Sequence, residues 1–160
     1  MKVAVINLMG NVFMKKSEDV FEAAKKFVEK FKLKKDADFI VVDVHGEITS
    51  EKMAMGYLFD GKATIVVGTH THVPTSDQRI MEKGTAYQTD IGMCGDYNSV
   101  IGMDRDNSLN KFLKETSSKK HFPSLGEATI SGLLVTADDK TGLAKKIQPI
   151  ILGGVLQERT

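Results

Sequence analysis

Three histidines follow two apolar runs of the chain, and imidazoles in such positions can bind metal ions. His70 and His72 stand two residues apart after the β-branched run 65–67, and His45 follows the apolar run 39–44. Runs of this kind are typical of buried strands, so we expect the histidines at strand ends. Neutral imidazole is a common ligand of zinc, iron and manganese. The pattern favours a divalent-metal site, with ordinary hydrogen-bonded loop histidines as the alternative.

The segments around these histidines predict an α/β fold. Apolar and amphipathic runs indicate strands and helices in alternation, at residues 3–8 (strand), 18–32 (helix), 39–44 (strand), 49–59 (helix) and 63–69 (strand). Ser17 is the expected N-cap of the first helix. Alternation of this kind implies right-handed crossovers and a largely parallel sheet. His45 and His70 should therefore emerge at the same edge of the sheet, where open α/β sheets usually bind their ligands.

The second half of the chain is richer in glycine and polar residues. Its predicted elements are a strand at 86–91, a helix at 108–114 capped by Ser108, and strands at 128–136 and 143–150. The turn 138–142 joins the last two strands as a β-hairpin. We therefore predict a single α/β domain over residues 1–160, with a largely parallel sheet and a carboxyl-terminal β-hairpin.

The bulk composition excludes several classes of function. The chain has 160 residues, of which 41% are hydrophobic and 27% charged, and its formal net charge is +1. That charge gives no reason to expect nucleic acid or an anionic membrane as a partner. No apolar run approaches the ~20 residues of a membrane span. The single cysteine, Cys94, excludes an internal disulfide and favours the cytoplasm. We interpret Cys94 as a loop thiol and His121 as a surface residue.

The histidine segment resembles a known motif. The run Gly68-Thr69-His70-Thr71-His72 resembles the closing Gly-His-Thr-His motif of the calcineurin-like metallophosphoesterases, with one residue inserted. His45 matches the preceding single-histidine motif of that family. The stretches 6–14, 42–55 and 67–104 resemble the YmdB-like branch, which contains phosphodiesterases active on cyclic nucleotides. The resemblance implies part of a calcineurin-like sandwich fold and a metal-dependent phosphodiesterase that uses Mn, Fe or Zn.

The resemblance also implies roles for individual residues. His45 and His70 would bind one ion of a dinuclear site, and His72 would bind the other. Asp43 and Glu47 flank His45 and could orient the ligands, although salt-bridged or solvated carboxylates are an equally good interpretation. Asp90 could line the site in the same way. The motifs that supply a bridging carboxylate and a catalytic histidine in the family are absent here, so no catalytic residue is assigned.

Three hypotheses follow from these observations. The chain could supply the carboxyl-terminal half of a metallophosphodiesterase and work with a separate amino-terminal half. It could instead be a non-catalytic metal-binding or assembly module left by truncation. It could also be a small hydrolase that completes its site in a homo-oligomer. If an amino-terminal half is missing, we expect the strand 3–8 to be uncovered and the chain to form a homodimer or larger assembly. We also expect the isolated chain to be a poor phosphodiesterase, whereas activity of the purified chain would favour the third hypothesis.

Overall fold

The computed structural model describes residues 1–14, 18–114 and 120–160, so the predicted cap Ser17 lies outside the described residues. The elements, in chain order, are β1 (Val3–Met9), α1 (Val20–Lys30), β2 (Phe39–His45), α2 (Thr49–Phe59), β3 (Ile65–Thr69), β4 (Arg79–Ile80), β5 (Ala86–Gln88), α3 (Arg105–Leu113), β6 (Ile130–Ala137) and β7 (Ala144–Leu152). None of the helices within these ranges is long and apolar enough to cross a bilayer.

The main sheet has five strands in the order β1-β2-β3-β5-β4. The pairs β1–β2, β2–β3 and β3–β5 are parallel, and β4 pairs with β5 in the antiparallel sense. Strands β6 and β7 form a separate antiparallel hairpin. The predicted fold class is confirmed: the molecule is α/β, with a largely parallel sheet and a carboxyl-terminal hairpin.

The alternation of side chains along β2 divides the sheet into two faces. Ile40, Val42 and Val44 are buried, and they pack with Met55 and Phe59 of α2 in the hydrophobic core. Burying an apolar side chain of this size stabilises the fold by about 1.5–3 kcal/mol. Because successive strand residues point to opposite faces, the residues between them lie on the other side of β2. Asp43 and His45 belong to that second set.

The helix boundaries differ from the predictions for local reasons. The first helix is shorter at both ends than the predicted 18–32. It starts at Val20 because the Asp19 carboxylate accepts hydrogen bonds from Phe21 N and Glu22 N. Helix α3 begins three residues before the predicted 108. Its cap is Asp104, whose carboxylate accepts from Asn107 N at 2.8 Å, and Ser108 is buried inside the helix.

The strand boundaries differ in a similar way. The third strand begins at Ile65 instead of residue 63, and β5 ends at Gln88 instead of residue 91. Beyond Gln88 the backbone bonds to side chains, because Thr89 N donates to Asp77 Oδ1 and Asp90 N donates to Thr75 Oγ1. The two hairpin strands are each shifted toward the carboxyl terminus by one or two residues from the predicted ranges. Strand β4 was not predicted, because two residues carry no periodic signal.

Strand β1 lies at the edge of the main sheet. It pairs with β2 on one side, and no other strand of the described chain pairs with its outer side. Val3 is 48% exposed and Val5 is 71% exposed. The strand is therefore uncovered on its outer side, as the sequence predicted.

Candidate metal centre

The register of the parallel strands brings the predicted site residues to one end of the sheet. Asn7 of β1 is opposite Asp43 of β2, and His45 of β2 is opposite Thr69 of β3. His70 follows Thr69 directly. Parallel strands in register therefore place these residues side by side at the carboxyl ends of β1, β2 and β3.

The structure brings the His45 and His70 rings together. Nδ1 of His70 lies 3.0 Å from Nε2 of His45, and the two rings are perpendicular with centroids 4.8 Å apart. Both side chains are partly buried. Two imidazole nitrogens this close to each other are chemically suited to share one cation, and their role as metal ligands stays a prediction.

A third side chain, Thr69, connects Asp43 to His45 by hydrogen bonds. The hydroxyl of Thr69 donates to Asp43 Oδ1 at 2.7 Å, and Thr69 Oγ1 is 3.1 Å from His45 Nδ1. The second oxygen of Asp43 accepts from the Asn7 side-chain amide at 2.7 Å. Three adjacent strands thus contribute to one hydrogen-bonded chain that ends on the His45 ring. The orienting role of Asp43 stays a prediction.

Glu47 contacts His70 instead of His45. Its Oε2 is 2.9 Å from His70 Nε2, and the Glu47 side chain is 51% exposed. Because the Glu47 side chain is half exposed, it lies at the open side of the imidazole pair.

His72 is placed apart from the other two rings. Its Nδ1 lies 2.7 Å from the carbonyl oxygen of Ile101, and within the described residues no hydrogen bond or ring contact joins it to His45 or His70. A carbonyl oxygen can only accept, so His72 Nδ1 carries a hydrogen, which leaves Nε2 as the nitrogen that could bind a metal. A ring held in this way suits a metal ligand, since such ligands donate their other N–H to a nearby acceptor.

The backbone around the two motif histidines is strained. His70 has a backbone φ of 107° and His72 a φ of 67°, and residues other than glycine rarely adopt such positive values. Each such residue costs about 1–3 kcal/mol, which the surrounding structure must offset. The loop is therefore held in a conformation that its own residues disfavour.

Asp90 holds this loop from inside the protein. Its side chain is fully buried; Oδ2 accepts from Thr71 N at 3.0 Å and from Lys52 Nζ at 3.1 Å, and Oδ1 accepts from Gly92 N at 2.9 Å. Lys52 is 1% exposed and also donates to the carbonyl of Thr69 at 3.4 Å. Asp90 thus supports the loop on either side of His70, and its carboxylate oxygens are already occupied by donors.

A second carboxylate, Asp77, fixes the strand ends behind the loop. It accepts from the hydroxyls of Thr75 and Thr89, from Thr89 N, and from Arg79. Partial burial acts to raise the pKa of Asp77, but these hydrogen bonds and the Arg79 cation together hold the pKa below its usual range. Nearby, burial raises the pKa of Tyr87 to about 12. Asp77 therefore stays ionised, and Tyr87 stays neutral.

The sequence did not predict that Thr69 and Lys52 support the site, although the position of Lys52 on its helix could have indicated it. Lys52 shares the buried face of α2 with Met55, Gly56 and Phe59, which follow it at spacings of three, four and seven residues. A lysine on such a face needs an anionic partner. The contact of Thr69 depends on strand register, which the sequence does not display.

Glu51, next to Lys52, connects the turn after β1 to the start of α2. Its Oε1 accepts from Asn11 N at 2.9 Å, and among the described residues its buried Oε2 has no hydrogen-bond partner. A Cβ atom at Gly10 would lie 2.4 Å from that oxygen and 3.1 Å from Gly46 Cα, so a larger residue at position 10 would force the Glu51 side chain to shift.

The chemical types of the possible ligand side chains suit a divalent first-row metal. Two imidazoles and one carboxylate, from His45, His70 and Glu47, are ligand types that Mn, Fe and Zn accept. Within residues 1–14, 18–114 and 120–160, however, no three His, Cys, Asp or Glu side chains are arranged as a group that could hold a metal ion. His121 and Cys94 are exposed, and the Cys94 thiol donates to the Ser131 carbonyl at 3.5 Å.

A family model described as "YmdB-like protein" matches residues 1–150 of the chain. The chain belongs to the YmdB-like family. This family is part of the metallophosphoesterases, as the resemblance of the histidine motifs predicted. The match includes all three motif histidines and the strands that position them.

Curated YmdB-like relatives are about twice as long as this chain. It is 42% identical to a 2',3'-cyclic-nucleotide 2'-phosphodiesterase of Bacillus subtilis over 151 residues, which cover 94% of the chain and 56% of that protein. It is 39% identical to a putative phosphatase/phosphodiesterase of Mycoplasma pneumoniae, covering 93% of the chain and 52% of that protein. The chain therefore spans about half the length of the curated relatives it matches.

Two solved structures have a similar fold. A hypothetical protein from Thermus thermophilus superposes with a TM-score of 0.84 at 37% identity, covering 96% of this chain and 58% of that chain. A protein from Mycoplasma pneumoniae titled a novel phosphatase superposes with a TM-score of 0.83 at 37% identity, covering 93% and 52% of the two chains. Both likenesses extend over almost all of this YmdB-like chain.

Proposed function

We propose that this chain is part of a metal-dependent phosphoesterase, a phosphodiesterase that acts on cyclic nucleotides. The observation that carries the proposal is the contact between the His45 and His70 rings at the carboxyl ends of neighbouring parallel strands. The name of the Bacillus subtilis relative supports the substrate class. On this proposal His45, His70 and His72 are the chain's contribution to a dinuclear site, and Mn, Fe and Zn are the candidate metals.

The residues of this chain would hold and orient the ligands. Thr69 and Asp43 fix the His45 ring, and the Ile101 carbonyl fixes the His72 ring. Asp90 maintains the loop that carries His70. Bound divalent ions would supply positive charge to the phosphate oxygens and would make a water molecule a better nucleophile.

The isolated chain should be a poor catalyst. Neutral imidazoles bring no negative charge to hold two divalent cations close together, and both oxygens of Asp90 and of Asp43 are already hydrogen-bonded. We therefore propose that the single domain of residues 1–160 acts together with an amino-terminal half or within a homo-oligomer.

A non-catalytic metal-binding or assembly module is the second candidate. It is favoured by the finding that, across the described ranges, no three ligand side chains form a group that could hold a metal ion. Under this hypothesis the chain binds a metal weakly and hydrolyses nothing, even when it is completed by a partner.

Metal titration and hydrolysis assays separate these candidates. We expect about one Mn²⁺ or Zn²⁺ per chain by calorimetry, lost in His45→Ala and His70→Ala and retained in the matched control His121→Ala, because His121 is exposed and far from the loop in sequence. Hydrolysis of bis-p-nitrophenyl phosphate should be low, and it should rise when an amino-terminal half from a longer relative is added. Equal metal binding by the His45→Ala variant would contradict the proposed site. Metal binding without any gain from the added half would favour the module.

A further inference from the structure

We propose that Thr69 is a positioning residue that fixes the tautomer of His45, so that Nε2 of the ring faces the candidate metal centre as the lone-pair nitrogen. The consequence for metal binding rests on the proposed function. The tautomer itself does not, and it can be measured without metal.

The assignment follows from the single hydrogen of the Thr69 hydroxyl group. Thr69 has a single hydroxyl hydrogen, and Oγ1 donates it to Asp43 Oδ1 at 2.7 Å. A carboxylate can only accept, so this direction is fixed. The 3.1 Å contact between Thr69 Oγ1 and His45 Nδ1 must then use the hydrogen of the ring. In the neutral ring Nδ1 therefore carries the hydrogen, and Nε2 carries the lone pair.

The surrounding structure prevents the hydroxyl from turning away. The other oxygen of Asp43 is held by the Asn7 amide at 2.7 Å, which fixes the carboxylate that Thr69 faces. The β-branched side chain of Thr69 has a restricted χ1 angle. Register pairs His45 with Thr69 directly across two parallel strands. The three groups are thus held together by backbone pairing as well as by their own hydrogen bonds.

Thr69 stands at the position where the motif of this chain differs from the family pattern. The motif of this chain, Gly-Thr-His-Thr-His, has one residue more than the Gly-His-Thr-His pattern that it resembles. The residue directly after the glycine, which ends β3, is the one whose hydroxyl connects Asp43 to His45. No direct hydrogen bond joins Asp43 to the His45 ring within the described structure. Thr69 therefore transmits the orienting effect of the carboxylate.

The test uses the full chain without metal, labelled with ¹⁵N at histidine. Two-bond ¹⁵N–¹H correlation spectra at about pH 8.5, well above the ordinary histidine pKa of ~6.5, identify which ring nitrogen carries the hydrogen. His45→Gln assigns the signals. In the wild type we expect His45 as the Nδ1–H tautomer. Thr69→Val, which keeps the shape and removes the hydroxyl, should move His45 toward a mixture of tautomers, and Thr69→Ser should restore the wild-type pattern.

Thr71→Val is the matched control, because within the described residues the Thr71 hydroxyl hydrogen-bonds to the backbone of Val73 and not to Asp43 or His45. It should leave the His45 signals unchanged. The His72 signals report that the loop is intact, since the acceptor of His72 is the Ile101 carbonyl in every variant. An unchanged His45 tautomer in Thr69→Val, with the fold intact, would overturn the proposal. So would a wild-type ring with its hydrogen on Nε2.

Metal affinity provides an independent readout. Loss of an outer-shell partner weakens metal binding by about 10–100-fold, so Zn²⁺ titration should show a loss of that size in Thr69→Val and recovery in Thr69→Ser. If the spectra follow the expectation and the wild type binds no Zn²⁺, the proposed function fails while the role of Thr69 stands. If Zn²⁺ binds equally well to the wild type and to Thr69→Val, the positioning role fails and the proposed function survives.

Discussion

Lys52 and Asp90 form an ion pair in which each side chain is only 1% exposed. Removing one partner of such a pair leaves a buried charge without compensation, which costs about 3–5 kcal/mol. Lys52→Met should therefore lower the free energy of unfolding by about that amount. Urea denaturation followed by circular dichroism measures the change.

Lys26→Met is the matched control for this substitution. Lys26 also forms an ion pair, with Glu22 at 2.9 Å, but both side chains are about two-thirds exposed. Exposed pairs contribute little to stability, because water screens the charges. Similar losses in the two variants would show that burial does not determine the contribution of the Lys52 pair.

Gly68 should tolerate no side chain. A Cβ atom there would lie 1.7 Å from the Thr89 carbonyl oxygen and 2.6 Å from Lys52 Cδ. We expect Gly68→Ala to be insoluble or strongly destabilised in thermal denaturation. Gly132→Ala is the control, since nothing lies within 4 Å of its added Cβ. It should be neutral or stabilising by up to about 1 kcal/mol. A Gly68→Ala variant as stable as the wild type would show that β3 can move away from Thr89.

At the residue scale, the sequence predicted the proximity of His45 and His70 better than it predicted the side chains that support them. His45 and His70 could be placed together because each follows an apolar run that reads as a parallel strand. Thr69 and Lys52 could not, because their partners lie 24–38 residues away and depend on register and helix rotation. The partner of His72 could not be predicted either, because a contact with the backbone carbonyl of Ile101 does not depend on the residue type at position 101.

At the scale of elements, Asp96 connects two loops. It accepts from the Ser124 hydroxyl, from Asn98 N and from Gly126 N. These hydrogen bonds, the Ser124 bond foremost, lower the pKa of Asp96. The stabilisation is therefore present above the ordinary aspartate pKa of ~3.9 and is lost as the pH falls through the lower pKa of the folded state.

Asp96→Asn should consequently lower the melting temperature at neutral pH, and the difference from the wild type should shrink as the pH falls below ~4. Differential scanning calorimetry from neutral to acidic pH measures this trend. Asp106→Asn, at a side chain that is 78% exposed, serves as the control and should change little at any pH. A deficit for Asp96→Asn that stays constant in acid would show that the carboxylate charge is not responsible.

The order and type of the elements followed from periodicity, while their ends followed from individual hydrogen bonds. Apolar strands alternating with helices predicted the parallel sheet correctly. Helix α3 begins earlier than predicted because Asp104 and Ser108 are both good caps, and only the structure shows which one meets a free N–H. Strand β4 lies outside sequence prediction because its two residues, Arg79 and Ile80, are too few to carry a periodic signal.

At the scale of the whole molecule, the exposed edge strand β1 should cause self-association. Uncovered strand edges with apolar side chains pair readily with other chains, and a lysine on the edge opposes this. Val5→Lys should therefore reduce the fraction of dimer or larger species in sedimentation velocity experiments. Val155→Lys is the control, because Val155 is 60% exposed but lies outside the strands. A wild-type chain that stays monomeric at high concentration would contradict the expected homo-oligomer.

The parallel register of the sheet also governs when the site can form. Asn7 and Asp43 are 36 residues apart in the chain, His45 and His70 are 25 apart, and His72 and Ile101 are 29 apart. Contacts between such distant residues require the intervening loops to close first, which makes sheets of this type slow to fold. No partly folded intermediate that lacks β2 or β3 can contain the imidazole pair. In a refolding experiment, the capacity to bind Zn²⁺ should appear with the slowest phase, as a marker that the sheet is complete.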